Sequence, residues 1–395
     1  CQDPERYRAL VGERVEVFDL QEHGAALDRF KGATGTTALF LDKECATEKG
    51  RRRRRQGLKP AEYVLINEEI CEGCGDCYHK SEGCAALYSI ETEFGDKTQV
   101  RQANCAQDEL CIDGECPSFV VVKPAAGVGL RRRQPAPLRD LPDPVPCSIE
   151  GYYTVFAVGR GGTGVVTLSH LLAYAAMMEG KYVYLSNSTG LAQKGGPVEA
   201  PIVISDVHQP VFNRLFPGQV DLYLGFDLLR AAEPANLQYL TPDRSSAVIS
   251  SAEVPTAEIN RKPRVNRFPA ADSLQALIDT HVRKGQNLYL DTYWLAEMLF
   301  ADIIYANMLL LGAAYQAGVI PLAGESIETA IELNGKAVEN NIQAFRWGRL
   351  AVADPARVEV ALGRQQPEDG QIVNEIEQQL QGGGGAALLQ RIKSW

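Results

Sequence analysis

Cys71, Cys74 and Cys77 form a C-x2-C-x2-C run followed by Cys84, and no other feature limits the fold of this chain as strongly. Of ten cysteines in 395 residues, seven fall between Cys71 and Cys116. Three thiolates at this spacing can curl round one face of a cubane cluster. Gly73 and Gly75 let the backbone turn tightly and bring bare amides near the sulfides. Zinc is the competing reading, but zinc usually takes two separated C-x2-C pairs that close a tetrahedron. The spacing therefore predicts an iron–sulfur centre. No charged-then-apolar leader is visible and no stretch reaches 18 apolar residues, so the cysteines read as ligands rather than disulfides, in a soluble cytoplasmic protein.

The second half of the cluster repeats the spacing with one change. Cys105, Asp108 and Cys111 place aspartate where the middle cysteine belongs, and Cys116 is followed by Pro117. In two-cluster bacterial ferredoxins each motif gives three ligands to one cluster and its fourth cysteine to the other. Applied here, cluster one takes Cys71, Cys74, Cys77 and Cys116. Cluster two takes Cys105, Cys111 and Cys84, with either Asp108 or nothing at the fourth iron. An oxygen ligand is harder than thiolate, so cluster two reads as [3Fe–4S] or as [4Fe–4S] with a labile corner. The alternative reading of Asp108 is a solvent-exposed loop carboxylate. Six residues separate Cys77 from Cys84 and four separate Cys111 from Cys116, where the bacterial pattern has three. Cys1, Cys45 and Cys147 lie outside this frame, and Cys45 reads as an inert buried thiol.

Around the cluster the chain divides by composition. Residues 1–60 offer a short strand at Arg14 to Phe18, a helix at Gly24 to Phe30 and a buried strand at Thr37 to Leu41, too little to fold alone. They read as the end of a domain whose beginning is missing. The run Arg51 to Arg55 reads as a solvated loop or as a contact for an acidic partner or phosphate. Residues 61–124 hold the cysteines between strands at Tyr63 to Ile66 and Phe119 to Val122. The Pro-, Gly- and Arg-rich stretch 125–150 reads as a linker. Over 151–360 strands alternate with helices. Strands are expected at Thr154 to Val158, Tyr182 to Leu185, Val198 to Ile204, Val220 to Gly225 and Ala247 to Ser250. Helices are expected at Val165 to Met178, Trp294 to Ala317 and Glu325 to Phe345. The alternation predicts an α/β fold with an open, largely parallel sheet, preceded by a small bis-cluster ferredoxin-like α+β domain. Residues 361–395, rich in Gln, Glu and Gly, read as a flexible tail leading to a missing domain. A formal net charge of −10 argues against a nucleic-acid partner.

Two glycine-rich loops complete the inventory. Gly159, Gly161, Gly162 and Gly164 lie in a strand–turn–helix context that fits G-x-G-x-x-G. That pattern also expects an acidic residue near the end of the second strand, but Leu185, Ser186, Asn187 and Ser188 stand there instead. A structural turn or an interface contact is favoured over a nicotinamide or flavin site. Lys194, Gly195 and Gly196 form the second loop, which is either a tight surface turn or an element of the sheet crevice.

In order and spacing, "LFLDKECATEKGRRRRR", "NEEICEGCGDC", "GRGGTGVVT", "STGLAQKGGPV", "ANMLLLGAAYQAGVIPL" and "AIELNGKAVENNIQAFRWGR" resemble the fused indolepyruvate ferredoxin oxidoreductases of the 2-oxoacid:ferredoxin oxidoreductase family, over roughly residues 1–360. The resemblance implies oxidative decarboxylation of 2-oxo acids, especially arylpyruvates, with thiamine diphosphate and Mg2+, forming an acyl-CoA and reducing ferredoxin. It implies that residues 1–60 end a thiamine-diphosphate-binding domain and that 151–360 are a gamma-type domain. No Gly-Asp-Gly thiamine motif occurs, so the catalytic domain is expected elsewhere, as a partner subunit or missing domain, in a homo-oligomeric enzyme without membrane contact. The two glycine loops are then cofactor-binding or interface candidates. Two other classes stay open: a stand-alone electron-transfer scaffold, and an iron–sulfur flavoprotein using Gly159 to Gly164 for FAD or NAD(P).

Overall fold

The computed structural model describes residues 3–11, 15–19, 22–42, 62–81, 83–102, 110–112, 116–123, 135–139, 141–190, 195–208, 214–261 and 265–362, with single residues at 49, 52, 53, 56, 105 and 107. The chain divides into two compact units, Cys1–Leu130 with Pro255–Arg267, and Arg131–Val254 with Phe268–Trp395.

The first unit begins with helices α1 (Pro4–Arg8) and α2 (His23–Gly32). Asp3 caps α1 by accepting the Arg6 N–H at 3.1 Å. The strand expected at Thr37 to Leu41 does not form. This stretch carries no secondary structure, and Phe40 is 88% exposed. Residues 15–18 are likewise not a strand. Neither segment has a pairing partner among the described residues, and an isolated strand leaves its polar backbone unpaired. Cys1 and Cys45 lie outside the described residues.

The cysteine-bearing part is a small α+β arrangement. Strands β1 (Tyr63–Ile66) and β4 (Phe119–Val122) pair antiparallel, as do β2 (Leu87–Thr92) and β3 (Gly95–Val100). Between β1 and β2 lies α3 (Asp76–Lys80). The β2–β3 hairpin closes on Gly95 at φ +87°, a conformation cheap only for glycine. Cys77, Tyr78 and Leu87 form the core of this part, with Ile66, Cys84, Val100, Cys111 and Phe119 packed around them. A further helical turn, Ala257–Arg261, completes the unit from far along the sequence.

The second unit is an open α/β sheet of seven strands in the order β11-β10-β9-β5-β8-β6, with β7 alongside β8. They are β5 (Tyr153–Arg160), β6 (Tyr182–Leu185), β7 (Ser188–Thr189), β8 (Pro197–Ser205), β9 (Leu222–Gly225), β10 (Ser246–Ser250) and β11 (Asn287–Leu290). Strands β5, β9, β10 and β11 are parallel neighbours; β8 runs against β5, β6 and β7. The reversal arises because β7 turns straight back into β8, with the Gly190 N–H donating to the Pro197 carbonyl at 3.0 Å. Along β5 alternate residues serve opposite layers. Val155 and Ala157 join the larger core, while Phe156 and Val158 join the smaller. A central strand covered on both faces therefore reads as a continuous apolar run.

Helices α4 (Val165–Met178), α5 (Ala271–Asp279), α6 (Thr292–Phe300), α7 (Ala306–Gln316), α8 (Gly324–Asn334), α9 (Val338–Ala353) and α10 (Pro355–Leu362) flank the sheet. The expected helix Trp294 to Ala317 is two helices. Ala301 ends α6 in the left-handed region, and Asp302 restarts the chain by accepting the Ile304 N–H at 3.1 Å. Glu325 to Phe345 likewise breaks at Gly335 and Ala337, both at positive φ. The stretch before β5 is more than a spacer. Leu138 is buried in the main core, and Arg349 of α9 donates to the carbonyls of Leu141 and Pro142 and to Asp143.

Candidate functional site

Among the expected ligands, Cys71 and Cys77 are buried and Cys74 is exposed; Cys84, Cys105, Cys111 and Cys116 are half-buried, and all seven are free thiols. Asp108 lies outside the described residues. Burial raises the Cys77 pKa most, and the charges of Cys74 and Cys71 add to the rise. Cys77, Cys84 and Cys111 share the small core around Tyr78 and Leu87. Among the described residues, no three Cys, His, Asp or Glu side chains are gathered tightly enough to hold a single metal ion.

The local backbone is shaped around sulfur. The N–H groups of Gly73 and Thr98 both donate to Cys71 Sγ at 3.4 Å, and the Ala86 N–H donates to Cys84 Sγ at 3.4 Å. Cys116 Sγ stands 3.0 Å from Ser118 Oγ. Gly73 and Gly75 hold φ of +62° and +81°. At Gly73 a Cβ would lie 2.1 Å from the Asp96 carbonyl oxygen, so the first Cys-x-Gly turn admits no other residue. Burial pushes the Cys77 thiol up to about 11, with Thr98 pulling the other way. Burial likewise raises Tyr78, with Thr98 pulling the other way, and its hydroxyl meets no partner of hydrogen-bonding geometry among the described residues. A buried and a half-buried thiol with N–H donors aimed at them, beside a buried hydroxyl without a partner among the described residues, are the donor set of a group that neutralises thiolate charge and offers acceptor sulfides. The residues fit an iron–sulfur cluster.

In the α/β unit the two glycine loops meet at the C-terminal end of β5. The Gly161 N–H donates to the Gly196 carbonyl at 2.8 Å, and the Gly195 N–H to the Gly161 carbonyl at 3.1 Å. Lys194 lies outside the described residues. The glycines have local duties. A Cβ at Gly159 would come within 3.0 Å of Val165, Thr163 and Phe226, and one at Gly164 within 2.2 Å of Asn307. Where an acidic residue would bind a ribose, Asn187 accepts from Ser169 Oγ at 3.0 Å. Sequence reasoning missed the buried ion pair beside the loop, Arg160 to Asp227 at 2.8 Å, with Asp227 only 3% exposed. Burial raises the Asp227 pKa, and Arg160 pulls it back down. The one legible signal is Arg160, the single charged residue in the Gly159–Gly164 stretch. Also unforeseen is a cavity of ≈ 1090 Å³ at the N-terminal ends of the parallel strands, lined by Cys147, Tyr153, Asp221, Arg244 and Arg283 among others. Arg244 and Asp221 form a two-pronged pair across its wall, at 2.6 and 2.8 Å.

The pyruvate ferredoxin/flavodoxin oxidoreductase family matches residues 154–351. The chain is 26% identical over 204 residues to indolepyruvate oxidoreductase subunit IorB of Methanothermobacter thermautotrophicus, covering 51% of this chain and 98% of that protein. It is 30% identical over 192 residues to the pyruvate/ketoisovalerate oxidoreductases common subunit gamma of Pyrococcus abyssi, covering 48% and 90%. Pyruvate oxidoreductase subunit PORC of Thermotoga maritima is similar at 23% identity over 51% of this chain and 96% of that one, with a TM-score of 0.36. The family match spans the sheet from β5 through the helices to α9, and the chain belongs to the pyruvate ferredoxin/flavodoxin oxidoreductase family.

Proposed function

We propose that this chain is the electron-transfer and gamma part of a thiamine-dependent 2-oxoacid:ferredoxin oxidoreductase, acting on an arylpyruvate such as indolepyruvate and forming an acyl-CoA. One observation carries the reading: the family's α/β domain shares a polypeptide with a cysteine module whose backbone N–H groups point at the sulfurs of Cys71 and Cys84. The name of the Methanothermobacter relative supports an aromatic substrate over a small aliphatic one.

Bound iron–sulfur clusters supply one-electron transfer at low potential. The residues that hold the first are Cys71, Cys74, Cys77 and Cys116; those for the second are Cys84, Cys105 and Cys111, with Asp108 at the eighth position. The Gly73 and Thr98 N–H groups spread the charge of the Cys71 thiolate, and Ser118 does the same for Cys116. Tyr78 and Leu87 keep water from the centre, both nearly fully buried. Thiamine diphosphate with Mg2+, the 2-oxo acid and CoA belong to a catalytic partner domain, and ferredoxin is the final acceptor.

Anaerobic reconstitution of the chain tests this. It should bind roughly seven or eight irons, show EPR signals on oxidation or reduction, and leave a 2-oxo acid untouched until its catalytic partner is added. A chain that retains no iron, or that decarboxylates a 2-oxo acid unaided, refutes the proposal.

A further inference from the structure

Resting on the two-cluster reading above, we infer that Asn260 is a positioning residue for Cys84. Residue 260 lies in a segment that leaves the α/β sheet after β10 and rejoins it before α5, yet Pro255–Arg267 packs as part of the cysteine-bearing unit. Connections between a strand and the next helix in such folds usually take only ~2–6 residues, so this excursion is an addition to the sheet's plan.

What the excursion delivers is one buried amide. Asn260 is 3% exposed, and its Nδ2 donates to the Cys84 carbonyl at 3.0 Å and to the Leu87 carbonyl at 3.3 Å. These carbonyls bracket the turn that carries Cys84 into β2. The amide is itself oriented: the Asn260 N–H donates to the Thr256 carbonyl at 3.0 Å, and Thr256 Oγ1 accepts the Ile259 N–H at 3.2 Å. Cys84 is thereby fixed at three atoms. Ser81 Oγ accepts its N–H at 3.3 Å, Asn260 holds its carbonyl, and the Ala86 N–H meets its sulfur.

The sequence supplies the reason for the clamp. Six residues separate Cys77 from Cys84, where the two-cluster pattern has three. Each added residue widens the set of positions open to the thiol, and an anchor from outside the loop narrows it again. Cys84 is also the cysteine that crosses from the first motif to the second cluster. Loosening it removes one of three thiolates from that site while leaving Cys71, Cys74, Cys77 and Cys116 in place.

The test compares the full chain with Asn260→Ala and Asn260→Asp, the latter replacing the donor by an acceptor that faces two carbonyls. Iron per chain and EPR spectra of oxidised and reduced protein are read after anaerobic reconstitution. Both variants should keep the signal of the first cluster and lose that of the second, with iron falling to about four per chain. Arg267→Ala, on the same segment but exposed, should keep both signals. Wild-type iron with unshifted spectra and midpoint potentials in Asn260→Asp overturns the inference, and so does loss of both clusters together. A wild-type chain that binds only one cluster instead refutes the two-cluster reading on which the clamp rests.

Discussion

Helices α7 and α9 touch backbone to backbone, and a single methyl group should drive them apart. Gly312 of α7 faces α9 so closely that a Cβ there would lie 1.9 Å from the Phe345 carbonyl oxygen and 3.0 Å from the Arg349 nitrogen. Gly348 of α9 returns the contact, its Cβ position lying 2.0 Å from the Leu309 carbonyl oxygen. Ordinary contact begins near 3.4 Å, so Gly312→Ala requires the helices to separate by 3.4 − 1.9 = 1.5 Å. No side chain can rotate away to relieve this, because the obstacles are backbone atoms. Leu309, Leu311, Phe345 and Trp347, all nearly fully buried, lose contact as the helices part. A gap of ~0.5–1 Å already forfeits a quarter to a half of each pairwise attraction. Overpacking on this scale costs about 3 kcal/mol, which in a unit of this size lowers Tm by roughly 6–12 °C. Thermal unfolding of the full chain, followed by far-UV circular dichroism and by tryptophan fluorescence, to which the buried Trp347 contributes, measures it. Gly348→Ala should behave alike, and the double variant should cost much less than the sum, because one displacement makes room for both methyls. A Tm change under about 2 °C for Gly312→Ala, or strict additivity, refutes the argument.

Three further outcomes follow from the same structure. Arg349→Met should destabilise the α/β unit by about 3 kcal/mol in denaturant titration, since it strips donors from the Leu141 and Pro142 carbonyls and from Gln316. Arg160→Met should cost about 3–5 kcal/mol at neutral pH by removing the cation that holds the buried Asp227 ionised. The Asp227 pKa is already raised from its ordinary 3.8 by burial and rises further in this variant. The folded chain then holds that proton more tightly than the unfolded one, so stability is retained below the ordinary value and lost as pH rises through the folded one. The deficit should shrink on acidification, and one that is flat with pH counts against the mechanism. Stripping iron with a chelator under reducing conditions should raise proteolysis of residues 61–124 while leaving the α/β unit's melting transition in place; equal loss in both units contradicts this.

The legible parts of the fold were those where a local pattern and the tertiary packing agree. Val165 to Met178 and Tyr182 to Leu185 fall at the bounds their apolar patterns suggest, because each lies between a glycine turn and a polar turn. The strand–turn–helix at Gly159 was legible for the same reason. Trp294 to Ala317 reads as one helix because its apolar residues run on through the break, while the stop is encoded by Asp302 acting as a cap. That signal was present in the sequence, but a count of apolar residues cannot see it. The failure at Thr37 to Leu41 is of another kind, since an apolar stretch becomes a strand only where an edge is open to it. Neither Asn260 nor the close approach of α7 and α9 at Gly312 and Gly348 carries a local signature. Each depends on a partner far along the chain.

The two units differ in how their stability can arise, and this bears on function. The α/β unit encloses an extensive core on each face of its sheet, with Leu309, Leu310, Ala313 and Phe345 completely shielded on one side and Val158, Tyr223 and Ile249 on the other. The cysteine-bearing unit has a core centred on Cys77, Tyr78 and Leu87 among the described residues, and one of those three is a thiol. A core that small does not offset the entropy of ordering the cysteine-bearing stretch 61–124, and domains of about sixty residues commonly take a metal centre to make up the difference. On the iron–sulfur reading, the groups that carry electrons are therefore the same groups that hold the module together. The N–H donors aimed at Cys71 and Cys84 then serve both ends, because ordering the loops and stabilising thiolate charge use the same hydrogen bonds. The amide of Asn260 follows this logic one step further out. It stabilises no charge itself, but it fixes the loop whose thiol does.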